Sequence, residues 1–307
     1  PSSYVEGAPF PHYSYRSTRG FDGAYCAINH NTFIERSQRF FGNTYVQYQT
    51  KLNTDNMKLT AKYQLGEDAY TTNYTDSWGY GHSNGRGEID KYGYTINELN
   101  SLFTLAYNWN INEDLVFDAL YGNEFVHKST TWTDAYGSTY NFPGWNDINN
   151  ATVHQSYSSY YKKRTVGNFG SLSLAWKNQL FFNATGRQDI VSSMPHGNRT
   201  FFYPSASLGW IFTEQPMLKN DILTYGKIRA SYAEVGMAGD YIRSYYSVPG
   251  YGGGFSSGTP VQYPIGGVVA YTPNSTVYDP NLKPQNTKSY ELGADLTFLN
   301  GLISLSY

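Results

Sequence analysis

Residues 203 to 212 alternate: Ala206, Leu208, Trp210 and Phe212 fall on one side, and Tyr203, Ser205, Ser207 and Gly209 on the other. Apolar residues at every second position mark a strand with one apolar face. The pattern returns in pairs. Val46, Tyr48, Thr50 and Leu52 lead through "NTDN" into Met57, Leu59, Ala61, Tyr63 and Leu65, and Phe103, Leu105, Tyr107 and Trp109 lead through "NINED" into Leu115, Phe117, Ala119 and Tyr121. Leu172, Leu174 and Trp176 turn at "KNQ" into Leu180, Phe182 and Ala184. The 203–212 strand passes through "TEQPMLKND" and returns as Ile228, Ala230 and Tyr232, and the last pair is Leu292, Ala294, Leu296 and Phe298 with Ile303, Leu305 and Tyr307. About ten strands are expected, each near the ~9 to 11 residues that a tilted strand needs to cross a bilayer.

Short and long connections alternate between these strands. The long ones cover residues 67 to 94, 127 to 164 and 235 to 286. That order is expected when all short turns lie on one side of a membrane and all long loops on the other. The apolar sides carry no Asp, Glu, Lys or Arg, whereas the opposite sides hold Lys58, Lys62, Asp118, Arg187, Lys227, Arg229, Glu291 and Asp295. A soluble sandwich also has one apolar face, so the position of tryptophan weighs most. Trp109, Trp176 and Trp210 all sit on the apolar side where a strand runs into a short turn. Indole rings favour the membrane interface and form girdles around barrels. The expected fold is all-β: an antiparallel transmembrane β-barrel, present in part, with long extracellular loops.

Composition agrees. Aromatic residues make up 18% of the 307 positions, with 31 Tyr and 30 Gly, while charged residues reach only 15%. A net charge of -2, without a basic run, gives no reason to expect nucleic acid as a partner. Cys26 is the only cysteine, so no intrachain disulfide is possible. No run approaches the roughly 18 apolar residues of a membrane helix, and a low mean hydropathy does not argue against a barrel, because only alternate positions need be apolar. The opening "PSSYVEGAPF" has neither an initiator Met nor a signal-like apolar region, so a piece of a longer chain is expected.

Chemistry-bearing motifs are sparse. His82, His127, His154 and His196 are scattered without HExxH or CxxC spacing, "GYGGGF" at 250 to 255 lacks the lysine of a phosphate loop, and no GxSxG is present. No metal or cofactor is implied. Asp76, Glu88 and Asp90 are carboxylates in one segment, yet their spacing does not set a hydrolase separation. The candidate binding residues are aromatic: Trp78, Tyr80, Trp132, Tyr136, Tyr140 and Trp145, interspersed with Asp76, Asp134, Asn146 and Asp147. Flat rings beside amides and carboxylates suit sugars or peptides, and the same rings can equally pack a loop into a cap.

"LSLAWKNQLFFNATGRQD", "FFYPSASLGWIFTE", "YGKIRASYAEVG" and "LKPQNTKSYELGADLTFLNGLISLSY" resemble the middle-to-late barrel segments of SusC/RagA-type TonB-linked outer-membrane transporters. The match spans about residues 166 to 307. The resemblance implies an outer-membrane barrel of about 22 strands around a plug, energised through the TonB complex and paired with a SusD-like surface lipoprotein that helps capture oligosaccharides or peptides. On this reading residues 1–307 are one partial barrel domain, with the plug and the final strands outside it. The activity implied is transport and not catalysis. A soluble β-sandwich carbohydrate-binding module is the alternative, and an enzyme on a β-scaffold comes third.

Overall fold

A computed structural model describes residues 24–52, 56–80, 86–215, 217–218, 220–239, 246–247, 250–251, 261–262, 266–269, 272–273 and 279–307. His82, most of the 235–286 connection including the last four residues of "GYGGGF", and three of the four "NTDN" residues lie outside them. A short helix, α1 (Ala24–His30), precedes the strands β1 (Thr32–Lys51), β2 (Met57–Trp78), β3 (Glu88–Asn112), β4 (Leu115–Tyr140), β5 (Ala151–Trp176), β6 (Leu180–Val191), β7 (Thr200–Ile211) and β8 (Leu223–Met237). Two-residue strands β9 (Tyr246–Ser247), β10 (Gly250–Tyr251), β11 (Val261–Gln262) and β12 (Thr272–Pro273) form two small antiparallel pairs. β13 (Gln285–Phe298) and β14 (Ile303–Ser306) complete the chain order. Ten of the strands form one sheet in the order β1-β2-β3-β4-β5-β6-β7-β8-β13-β14, so each is hydrogen-bonded to the next in sequence except where β8 pairs with β13 across β9 to β12, and the sheet is open at β1 and β14.

Turn chemistry fixes the hairpins. Lys177 and Asn178 both have φ of 52° between β5 and β6, and the Gln179 N–H donates to the Trp176 carbonyl at 2.9 Å. Two successive left-handed residues make a type I′ turn, whose twist matches the flanking strands. At "NINED" the Asn112 side chain accepts from the Asp114 N–H at 2.9 Å, and the Lys177 N–H donates to the Asp114 carbonyl at 2.6 Å, joining two neighbouring short turns.

Register follows the apolar pattern. Phe182 pairs with Leu208, Leu208 with Ala230, and Ala230 with Leu292, giving one apolar row across four strands. Phe182, Leu208 and Leu292 are 40%, 46% and 83% exposed. A sandwich core would bury such a row, and among the described residues no second sheet covers it. The opposite parity carries the charges: Lys227 pairs with Asp295, Arg229 lies 3.7 Å from Asp295, and the Lys227 ammonium sits 5.9 Å from the Phe181 ring centroid.

The chain clusters into two compact units. The first is Pro1–Tyr45, Gln64–Ser101 and Val126–Lys163; the second is Val46–Tyr63, Leu102–Phe125 and Arg164–Tyr307. Strands β2 to β5 are 22 to 26 residues long, about twice what a bilayer crossing takes. The excursions expected at 67 to 94 and 127 to 164 are therefore largely strand: only 79–87 and 141–150 connect. Their Tyr, Thr and Trp favour extended backbone whether or not either face is apolar.

Candidate functional site

In the first unit, β2, β3 and β4 bring five rings together. Trp132 on β4 lies 5.6 Å from Tyr92 and 6.2 Å from Tyr94 on β3, the latter nearly parallel at 11°. Tyr92 stacks on Tyr74 at 4.8 Å and 13°, and Tyr94 meets Tyr70 edge-on at 6.1 Å. Ring pairs at these separations contribute roughly 0.5 to 1.5 kcal/mol each beyond area burial. All five residues have even numbers, the parity of Lys58, Lys62 and Asp118 on the same strands.

Carboxylates border this wall. The Tyr92 hydroxyl donates to Asp76 at 3.1 Å and the Tyr136 hydroxyl to Glu88 at 2.5 Å. Burial, followed by the charges of Asp134, Asp76 and Glu88, pushes the Asp90 carboxyl above the ordinary aspartate range. One of its oxygens is enclosed without a hydrogen-bond partner. The tyrosine hydroxyls respond in the same direction: burial and then Asp76 raise Tyr92, and burial and then Glu88 raise Tyr136. Among the described residues, no cluster of His, Cys, Asp and Glu is placed to hold a metal ion.

The six expected aromatic residues divide by environment. Trp132 is the hub of the wall, and Tyr136 lies four residues further along the same strand with its hydroxyl on Glu88, both on β4 and not in a loop. Tyr140 is 0% exposed and packs with Ile89 and Ala151, with Tyr80 and Ile148 against the same cluster. Its ring lies over Gly87, whose φ of 89° and lack of a side chain make room: a Cβ there would be 2.5 Å from the ring. Tyr140 thus braces the platform. Trp78 ends β2, with Phe33 edge-on at 5.5 Å. Trp145 is 45% exposed and stacks on Phe142 at 5.9 Å.

The turn that presents Phe142 and Trp145 is built around Asn150, which is 1% exposed. Its amide donates to the carbonyls of Phe142 at 2.7 Å and Trp145 at 2.8 Å, and its own carbonyl accepts from Asn141 N–H at 2.8 Å. Asp147 caps the following turn through the Asn149 N–H at 3.0 Å and meets Lys91 at 3.1 Å. Those contacts hold its carboxyl below the usual aspartate range. Nothing in the periodicity marks Tyr70, Tyr74, Tyr92 and Tyr94 as partners of Trp132, although their shared parity is a usable signal.

Elsewhere His154 contacts the Ile148 carbonyl at 2.9 Å, and His196 is an exposed residue of a short 3-10 turn. In the second unit Arg187 on β6 bonds Glu124 on β4 and Asp189, both at 2.8 Å, and lies under the Phe169 ring at 5.6 Å. This is a charge-paired patch on the polar side of the sheet.

Known proteins resemble the chain along nearly its whole length. SusC, a TonB-dependent receptor of Bacteroides thetaiotaomicron, is 26% identical over 281 residues, which cover 87% of this chain and 26% of SusC. The TonB-dependent receptor P26 of Formosa agariphila is 31% identical over 139 residues, 43% of this chain and 14% of that receptor. A solved structure of the RagAB peptide transporter superposes with a TM-score of 0.74 at 17% identity, over 96% of this chain and 32% of the transporter chain. The chain thus spans about a quarter of SusC and a third of the structural neighbour. The open sheet, the uncovered apolar rows and a match over residues 2–307 to the model for the TonB dependent receptor-like β-barrel agree: the chain belongs to that family of outer-membrane receptors and transporters.

Proposed function

We propose that the protein containing this chain is a multi-pass outer-membrane barrel that imports oligosaccharides, or peptides as the second substrate class. TonB supplies the energy, and a SusD-like surface lipoprotein delivers cargo. The observation that carries the substrate reading is the wall of Tyr70, Tyr74, Tyr92, Tyr94 and Trp132 bordered by Asp76, Glu88 and Asp134. Flat apolar faces flanked by acceptors match sugar rings, whose axial C–H groups stack while hydroxyls donate. The even parity of these residues is that of the charged positions on the membrane-crossing parts of the same strands, which supports a wall on the wet side of the barrel. Trp145 with Phe142 adds an exposed stacking surface, and Trp78 completes the contact set.

The test is the full-length protein with Trp132→Ala and Trp145→Ala together. Oligosaccharide and peptide binding are each measured by calorimetry, and uptake is measured in cells. Loss of roughly 1 kcal/mol or more of ligand affinity, with heat-modifiable barrel migration retained, is expected. Unchanged affinity and uptake would move the substrate site away from these rings.

A further inference from the structure

In the second unit β7 and β8 run paired from Ile211 and Lys227 to Ser205 and Ala233, and there their ladder stops, although β7 reaches back to Thr200 and β8 on to Met237. The sequence supplies the reason. The Ile211 N–H donates to the Gln179 carbonyl, on the β6 side, and main-chain direction alternates along an antiparallel strand, so Pro204 faces β8. Proline has no N–H to extend the ladder. Just beyond it the Tyr203 ring lies over Gly236, where a Cβ would collide with it. The two strands therefore part, while β8 stays paired with β13 as far as Met237 and Gln285.

A cavity of about 290 Å³ lies at this parting. Its lining combines the Phe202 ring, 59% exposed, with Asn198, Gln285, Asn286 and the exposed Lys283. Lys283 is the one charged residue among the described residues of the lining, and none of the described carboxylates is paired with it. The acidic groups nearby are already matched. Glu234 is held by the Lys288 ammonium at 3.3 Å and by the Asn286 amide at 2.8 Å, and Asp189 by Arg187 at 2.8 Å. The cavity thus offers an aromatic face, amide groups that donate and accept, and one positive charge with no negative charge beside it. Apolar surface with a few convergent polar groups is the make-up of a small-ligand site, and the volume falls near the lower end of the range for such clefts, roughly 300 to 1,000 Å³, which suits one unit of a longer ligand.

We propose that the cleft between β7 and the β8–β13 pair is a subsite for a carboxylate-bearing sugar unit of the oligosaccharide cargo, with Phe202 against the ring face and Lys283 on the carboxylate. Amides of Asn198 and Gln285 meet the ring hydroxyls, and the ammonium supplies a charge-assisted hydrogen bond that a neutral sugar does not use. This rests on the oligosaccharide reading above and adds the charge of the cargo to it.

The test titrates the full-length protein by calorimetry with trisaccharides of galacturonate, glucuronate and mannuronate, each beside its carboxyl-reduced, neutral form. At least one acidic trisaccharide is expected to bind about tenfold or more tightly than its neutral form, the scale of a hydrogen bond to a charged group. Lys283→Gln is expected to erase that preference while leaving the neutral form's affinity unchanged, and Phe202→Ala to weaken both forms. Heat-modifiable barrel migration should be retained in both variants, because the two side chains are exposed. Equal binding of every acidic trisaccharide and its neutral form, or a preference that survives Lys283→Gln, overturns the subsite and leaves the oligosaccharide reading intact. Absence of binding by any oligosaccharide to the unaltered protein overturns both.

Discussion

Trp176 and Trp210 face the same residue from opposite sides: Leu180 pairs with Trp176 across β5 and β6, and with Trp210 across β6 and β7. The two indoles therefore stand at one level, beside the short turns, on the apolar side. Their exposures are 40% and 39%. Indoles aligned in this way fit a membrane interface, where the ring is apolar and the N–H can meet water. Trp109 has the same parity as Leu105 on β3 and lies 6.4 Å from Tyr107, half-buried.

Leu208 sits at the centre of the apolar row, between Phe182 and Ala230. Leu208→Arg is expected to destabilise the full-length barrel in phospholipid vesicles by about 2 to 4 kcal/mol, the range for a cation near the bilayer midplane. Ser207→Arg, on the other parity, should cost much less. Urea titration of both variants separates the faces, and equal costs would contradict lipid contact at Leu208.

Gly122 on β4 makes room for Phe169 on β5. A Cβ at position 122 would be 2.1 Å from the tip of the Phe169 ring, so Gly122→Ala must displace the ring from Arg187. The expected cost is about 1 to 3 kcal/mol, typical of overpacking. Phe169→Leu in the same chain should recover part of it, and a double-mutant cycle on unfolding free energies measures the coupling.

Asn150 organises the Phe142–Trp145 turn through two amide donations to main-chain carbonyls. Asn150→Asp replaces that donor with an acceptor and sets a charge against both carbonyls, at about 1 to 3 kcal/mol for each buried group left unmade. Limited proteolysis should show faster cleavage between residues 141 and 149 at neutral pH. Barrel migration should not change, because the turn lies outside the membrane-crossing parts.

Asp90 gives a pH signature. Its carboxyl titrates above the ordinary value because of burial and then the neighbouring Asp134, Asp76 and Glu88. A group that holds its proton more tightly when folded contributes stability below its unfolded value, near 3.9, and loses that contribution as pH rises through the raised folded value. Asp90→Asn should therefore stabilise the protein at pH 7 and bring no gain at about pH 3. Thermal unfolding across that range checks the sign, and an equal gain at both ends would rule out the carboxyl as its source.

The number of strands, their antiparallel order and the sidedness of Leu208, Trp176 and Trp210 were all legible in the sequence. Lipid on one face and water on the other force a period-two contrast that each strand displays locally. That contrast vanishes where β2 to β5 run on beyond the bilayer, because both faces can then be polar. Residues 67 to 94 and 127 to 164 consequently read as loops, although Tyr, Thr and Trp keep them in strands. Tyr140 and Trp132 looked alike as aromatic residues of one segment. Only the tertiary structure separated them: Gly87 and Ala151 enclose Tyr140, while cross-strand register sets Trp132 against Tyr92 and Tyr94. Alternation along a strand is encoded by its own residues, whereas contact between rings on different strands depends on pairing that no single strand specifies.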